Sequence, residues 1–160
     1  MLITFFTKMF QDSSEQDFED SKLKLLVLFK ALVKVNQIYL ASHPDTIQLY
    51  DSDVVYQPEF GTEEWQDIPT TLERGFGDCE DLAAYRVAEL RNQGIKANPH
   101  IRWRMVDGSY RFHALVKWPD THEWKSGRRV LVKGRVEDPS LRLGMRKWSG
   151  FLSAKNRSDF

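Results

Sequence analysis

The hydrophobic period of the chain changes at Gly94, and this change constrains the fold more than any other feature. Before it, residues 78–94 carry apolar side chains at helical spacing and end on a glycine suited to cap a helix. After it, apolar and polar residues alternate over 97–106 and 109–118, on either side of Asp107-Gly108, a dipeptide typical of a tight type I′ hairpin turn. A helix followed by an antiparallel meander predicts an α+β domain.

The segments around this core have less regular hydrophobic patterns. From about Phe18 to Ala41 apolar residues occur almost all round a helix, with one polar stripe, which predicts a largely buried helix with a thin solvated edge. The lysines within that run argue against a membrane span. Residues 43–71 show no clear period and are expected to form a long structured loop. A loop at 120–129 should lead into a third strand at about 130–137.

A chain of 160 residues suits one domain. We predict a single domain over 1–140, with an N-terminal helical part at 1–42 and the core at 65–139. Ser13 or Ser14 is the expected cap of the long helix. Residues 141–160 are expected to form a basic tail.

Charge is unevenly distributed along a chain whose formal net charge is zero. Residues 1–81 contain six Lys and Arg against sixteen Asp and Glu, whereas residues 82–160 contain seventeen against seven. Either the two halves fold against each other and their fields partly cancel, or the second half offers a basic face to an anionic partner. We favour the first interpretation and do not expect a nucleic-acid partner. The residues that would serve nucleic-acid binding are Arg102, Arg104, Arg111, Lys133 and Arg135.

The beginning of the chain does not have the pattern of a secretory signal. It lacks a basic n-region, Lys8 interrupts its apolar stretch, and acidic residues stand where a small-residue cleavage site would be needed. One cysteine excludes an internal disulfide and fits a reducing compartment. We therefore expect a cytoplasmic protein without a membrane partner.

Three residues have the chemistry of a cysteine nucleophile and its base. Cys79 falls in the first turn of the predicted helix, where the helix dipole and free N–H groups stabilise a thiolate, and the preceding glycines should leave the sulfur accessible. His113 lies on a predicted strand and Asp138 at the end of the next one, so neighbouring strands can bring both to the helix start. Each of the three also has a purely structural interpretation. Cys79 would be a core side chain, and Asp138 a turn residue before Pro139. His113 would be an ordinary strand histidine, and His100 is its competitor for the role of base.

The residues around this trio resemble a known family. Four segments resemble the transglutaminase-like branch of papain-type cysteine enzymes, in particular the small bacterial transglutaminase-like cysteine peptidases. They are the motif GDCEDLA, the stretch WQDIPTTLERGFGDCED that leads into it, the strand FHALV and the ending VEDPS. The resemblance runs from Trp65 to Pro139. The resemblance implies a papain-like core in which the nucleophile helix packs on an antiparallel sheet. It also implies acyl transfer through a thioester, with Cys79 as nucleophile, His113 as base and Asp138 holding the imidazole.

The resemblance bears on two further sets of residues. It suggests Trp65 as a second oxyanion donor through its indole N–H, with Gln66 as a substitute. A hydrophobic anchor is the other reading of Trp65. The three acids beside the thiol, Asp78, Glu80 and Asp81, are expected to cap the helix, whereas a calcium-dependent branch with a similar motif suggests a calcium ion there.

We therefore expect a cysteine hydrolase, a peptidase or amidase acting on a protein or peptide substrate. The four histidines lack metal-ligand spacing, so the sequence contains no zinc motif, and no other cofactor is expected. The alternative is a catalytically idle interaction or assembly module. Small stand-alone domains of this family look common in bacteria and their phages, so such a module would suit a virion and would bind other virion or assembly proteins.

Overall fold

The computed structural model describes residues 2–5, 15–59, 63–106 and 109–146. Within these ranges the chain combines helices with mostly antiparallel strands, so the predicted α+β class is confirmed. The described helices are α1 (Glu15–Ser42), α2 (Ile68–Arg74), α3 (Cys79–Asn92) and α4 (Pro139–Arg142), with a short 3-10 helix at Leu49–Asp51. The described strands are β1 (Leu2–Phe5), β2 (Val55–Tyr56), β3 (Glu63–Gln66), β4 (Phe76–Gly77), β5 (Asn98–Val106), β6 (Ser109–Lys117), β7 (Thr121–Lys125), β8 (Arg128–Val132) and β9 (Val136–Glu137).

Helix α3 lies at the centre of the domain. It packs against α1 on one side and β6 on the other, and residues Cys79–Tyr85 are all buried. Ala83, Ala84 and Ala88 are fully buried, and side chains this small let neighbouring elements approach the helix closely. The helix ends before Gly94, whose φ of +83° is the left-handed conformation that the sequence suggested for a cap.

Helix α1 confirms the predicted element but not its predicted burial. Leu25, Phe29 and Leu32 pack into the core beside α3, whereas Leu23 and Val27 are more than half exposed. The expected thin solvated edge is wrong, because α1 covers the domain from one side and buries only the face turned to α3 and β5. The predicted cap at Ser13 or Ser14 lies outside the described residues.

The same helix is long and apolar enough to cross a membrane. Phe18–Ser42 spans 25 residues with a mean hydropathy of 1.4. Its buried side chains belong to the protein core, and a core helix passes the same test of length and composition. The helix alone therefore assigns no membrane location.

Strands β5 and β6 form the predicted hairpin. They pair antiparallel over their whole length, from Asn98 opposite Lys117 to Val106 opposite Ser109. The predicted turn at 107–108 lies outside the described residues. Strand β9 adds a short third strand to β6, where Glu137 pairs with Val116.

Residues 120–137 differ from the prediction of a loop and one strand. β7 and β8 pair with each other as a separate two-stranded ribbon, and only β9 joins the main sheet. The ribbon turns at Ser126 and Gly127, both of which have positive φ. These strands lack a regular alternation of apolar and polar residues, because neither face of the ribbon is buried.

The expected long loop at 43–71 is also more ordered than predicted. It contains the 3-10 helix, β2, β3 and the start of α2, and short pairings hold it: β1 with β3 and β2 with β4. Leu49 and Ile68 bury their side chains in a second core cluster with Tyr85 of α3. Later in the sequence, α4 extends into the residues predicted to form the tail, and Leu143 packs against this same cluster. Residues 147–160 lie outside the described part.

Candidate active site

Cys79 is the first residue of α3, as the sequence predicts. The N-cap is Asp78, whose backbone N–H donates to Asp81 Oδ2 at 3.3 Å. Close packing explains why a glycine precedes the cap, since a Cβ on Gly77 would lie 3.0 Å from the Cβ of Asp81. The expected accessibility of the sulfur is wrong: Cys79 is only 9% exposed, because the helix start is enclosed by the strands around it.

His113 and Asp138 meet as the sequence predicts. Asp138 Oδ2 lies 2.8 Å from His113 Nε2, and both side chains are largely buried. The other oxygen of Asp138 accepts a hydrogen bond from the N–H of Leu141 at 3.2 Å, and Asp138 is the N-cap of α4. Asp138 therefore caps α4 with one oxygen and contacts His113 with the other.

The sulfur of Cys79 lies against the strand that carries His113. The backbone N–H of Ala114, the next residue, donates to Cys79 Sγ at 3.4 Å. This contact is available because β9 pairs only with Val116 and Lys117, which leaves the edge of β6 beside Ala114 to the start of α3. The structure thus brings the thiol to the strand position beside the His113–Asp138 pair.

The acids beside the thiol act differently from one another. Asp81 accepts the N–H groups of Asp78 and, at 2.7 Å, of Gln66, which is the capping role the sequence predicts. Glu80 instead accepts a hydrogen bond from the Cys79 thiol, with 3.1 Å between Sγ and Oε2.

These carboxyl groups oppose ionisation of the thiol. Burial, then the charges of Glu80 and Asp78, raise the pKa of Cys79 well above its usual range, and the N–H of Ala114 offsets this only in part. Burial likewise raises the pKa of Asp78, and that of Asp81 to about 7. The expectation that the helix start favours a thiolate is therefore not met in this arrangement, because burial and then the nearby carboxyls raise the pKa of the thiol.

The calcium alternative stays a prediction, and hydrogen bonds already engage several oxygens of the acids at the helix start. Calcium takes six to eight oxygen ligands, but both oxygens of Asp81 accept backbone N–H groups and Glu80 faces the thiol. Across the described residues, no group of three or more His, Cys, Asp or Glu side chains is arranged to hold a metal ion.

Trp65 lies in the hydrophobic core. It is 2% exposed and its ring stands edge-on to Phe29, with 6.3 Å between the centroids. This position fits the anchor reading of Trp65, and its role as an oxyanion donor stays a prediction. Gln66 is also fully buried, and its backbone ties β3 to the first turn of α3 through Asp81.

The competing histidines lie elsewhere. His100 pairs with Leu115 on β5 and β6, and burial lowers its pKa. His43 stacks on Tyr39 at the end of α1, and His122 is on the exposed ribbon. Of the four histidines, His113 is the one that the structure joins to Asp138.

Sequence reasoning missed a buried network centred on Glu137. Its carboxylate accepts hydrogen bonds from Tyr50 Oη at 2.5 Å, Arg86 Nε at 2.9 Å and Trp118 Nε1 at 2.7 Å. Arg86 belongs to α3, and it also donates to Glu89 at 3.0 Å. The network therefore links α3 to the strand that delivers Asp138. No local pattern could reveal it, since its members are up to 87 residues apart.

Tyr56 is a second residue that the sequence did not suggest. It pairs with Gly77 and packs against the core cluster that contains Cys79. Burial raises the pKa of Tyr56, and the charges of Cys79, Asp78, Glu80 and Asp138 add to this shift. Its hydroxyl therefore belongs to the surroundings of the candidate site.

Comparison with protein-family models, with curated proteins and with solved structures finds no match to this chain. The function is therefore inferred from the site itself.

Proposed function

We propose that this protein is a cysteine hydrolase, a peptidase or amidase with a transglutaminase-like, papain-type core. In this proposal Cys79 is the nucleophile, His113 the general base and Asp138 the residue that orients the imidazole. The observation that carries the proposal is the hydrogen bond from Ala114 N–H to Cys79 Sγ, because it sets the only cysteine of the chain beside a histidine that is already paired with an aspartate.

The pairing of His113 determines which of its nitrogens acts. A carboxylate accepts a proton, so Asp138 favours the tautomer that carries hydrogen on Nε2, and the lone pair is then on Nδ1. Nδ1 takes the thiol proton as sulfur attacks the substrate carbonyl. A raised thiol pKa means that this proton transfer accompanies attack, rather than preceding it as a stable thiolate–imidazolium pair.

The remaining steps follow from the position of the sulfur at a helix start. Attack places a negative charge on the carbonyl oxygen, which the backbone N–H groups at the start of α3 can stabilise. Collapse of this adduct breaks the C–N bond, forms the thioester and transfers the proton from His113 to the leaving amine. Water, deprotonated by His113, then hydrolyses the thioester and restores the thiol.

One observation favours a catalytically idle interaction module instead. Cys79 is buried and its thiol donates to Glu80, so attack requires this hydrogen bond to break and the sulfur to become accessible. A protein that keeps the fold for binding alone would have no need for such a change. The two functions differ in whether the reactivity of Cys79 depends on His113.

Active-site labelling tests this difference. The full chain is treated with a panel of peptidyl acyloxymethyl ketones, which alkylate cysteines that have a working base, and the adduct is located by mass. We expect one adduct on Cys79, slowed by about 10²-fold or more in His113→Ala. His100→Ala is the matched control on the neighbouring strand and should label at the wild-type rate. Equal labelling of His113→Ala and the wild type would contradict the proposal and support the idle module.

A further inference from the structure

The ribbon formed by β7 and β8 projects from the sheet that carries the candidate site. It is inserted between β6, which bears His113, and β9, which leads to Asp138. Nine of the ten strand residues are exposed, and the tenth, Val132, is partly exposed. The ribbon therefore adds exposed surface and buries almost nothing in the described core.

The base of the ribbon is tightly built. Asp120 accepts the N–H of Gly134 at 2.8 Å and binds Lys133 at 3.1 Å, and Lys117 Nζ donates to the carbonyl of Gly134 at 2.6 Å. A Cβ on Gly134 would lie 2.0 Å from the backbone oxygen of Trp118, so only glycine fits there. These contacts hold the ribbon in a defined direction.

One face of the ribbon combines apolar and cationic side chains. The pairing register sets Trp124 opposite Arg129 and His122 opposite Leu131 on that face. Trp124 is 76% exposed and Leu131 47% exposed. An exposed tryptophan of this size contributes little to the fold, whereas Trp and Arg are the side chains that most often dominate binding energy at protein interfaces.

The charge of the ribbon selects an acidic partner. Among the described residues, Arg128 and Arg129 take part in no ion pair, and Lys125 has only a solvent-exposed contact with Glu123 at 3.3 Å. A partner that brings carboxylates would pair these guanidinium groups.

Two features favour a peptide over a nucleic acid as that partner. Leu131, on the same face as Trp124, needs an apolar group to cover it, which a phosphate backbone does not offer. Within the described part of the chain, each ribbon strand also pairs with a single neighbour. Both outer edges therefore present backbone groups to which an extended peptide can add as a strand.

We propose that the β7–β8 ribbon is a docking arm for an acidic, partly apolar, extended segment of a protein. If the proposed hydrolase function holds, on which this assignment rests, that segment belongs to the substrate protein. The ribbon then holds it at the end of the sheet where β6 meets β9.

The test measures binding to the full chain carrying Cys79→Ala, so that no turnover interferes. The probes are fluorescein-labelled short peptides of alternating Glu and Val or of alternating Lys and Val, and an oligothymidylate of similar length, followed by fluorescence anisotropy. We expect the acidic peptide to bind, with affinity that falls as salt is added. Trp124→Ala and the double variant Arg128→Glu/Arg129→Glu should each weaken it about tenfold or more.

The matched control is Lys30→Glu/Lys34→Glu on the exposed side of α1, which changes the net charge equally and should leave binding unchanged. Thermal unfolding verifies that all variants are folded. Acidic and basic peptides binding alike, or binding insensitive to the ribbon variants, would overturn the docking arm. Tighter binding of oligothymidylate would assign the ribbon to nucleic acid instead. Peptide binding without His113-dependent labelling of Cys79 would refute the hydrolase proposal alone.

Discussion

Replacing Glu137 with Gln tests whether the buried network holds the candidate site together. The carboxylate uses two oxygens to accept from Tyr50, Arg86 and Trp118. Glutamine has nearly the same shape but offers one oxygen and one NH₂ group. At least one of the three donors therefore loses its acceptor and faces another donor.

The expected loss follows from the charge and burial of the pair. A hydrogen bond to a charged group contributes about 1.5–3 kcal/mol, and removing one partner of a buried ion pair costs about 3–5 kcal/mol. The side chains of Arg86 and Glu137 are 13% and 14% exposed, so solvent screens the pair slightly. We expect the free energy of unfolding to fall by about 3 kcal/mol, which for a chain of this length lowers the Tm by about 6–12 °C.

Urea unfolding at neutral pH gives this difference directly. The matched control is Glu123→Gln on the ribbon, whose exposed contact with Lys125 should be worth less than about 0.5 kcal/mol. A double-mutant cycle of Glu137→Gln with Arg86→Met should give a coupling energy of about 1–3 kcal/mol. Equal stability of Glu137→Gln and Glu123→Gln would refute the reasoning.

The pH dependence of this effect has a defined sign. Burial opposes ionisation of Glu137, but the hydrogen bonds from Tyr50, Trp118 and Arg86 outweigh it and lower its pKa from the usual 4.5. A depressed pKa in the folded state adds stability that is complete above the unfolded pKa and is lost as pH falls through the folded one. The advantage of the wild type over Glu137→Gln should therefore shrink as the pH is lowered below about 4.5.

Three further substitutions test separate parts of the structure. Glu80→Gln should lower the pKa of the Cys79 thiol, seen as a several-fold faster iodoacetamide reaction at neutral pH; an unchanged rate would mean that Glu80 does not raise that pKa. Gly134→Ala should lower the free energy of unfolding in urea by more than about 3 kcal/mol, because its Cβ would meet the backbone. Gly127→Ala is the control, since its positive φ but open surroundings should cost only about 1 kcal/mol. Equal losses in the two variants would contradict the close contact at the ribbon base. Asp138→Asn should slow active-site labelling about tenfold or more, and unaltered labelling would remove the aspartate from the mechanism.

Much of the candidate site was predictable because its signals are local. The start of α3 at Cys79 follows from a capping residue and a helical apolar period, and β5 and β6 follow from alternation around a two-residue turn. The Cys79, His113 and Asp138 trio needed the resemblance as well, since residue types alone left a core cysteine and a turn aspartate open.

The wrong predictions concern features that depend on what packs nearby. The sequence predicts a loop in place of the ribbon because the ribbon has no buried face. It predicts too much burial for α1 because the number of elements that pack against a helix is not encoded in its own residues. The thiol was expected to ionise readily because the helix dipole is a local property, whereas the burial that opposes ionisation is not.

The amino-acid order was sufficient to specify the helix and strand periods and the helix start at the cysteine, because these depend on neighbours within one or two turns. Tertiary packing alone decided the enclosure of the sulfur, the hydrogen bond from the N–H of Ala114 to Cys79 Sγ across 35 residues, and the link from Arg86 to Glu137 across 51 residues. Both sets of contacts obey the same chemistry. The second set exists only once distant segments have been brought together and water has been removed from between them.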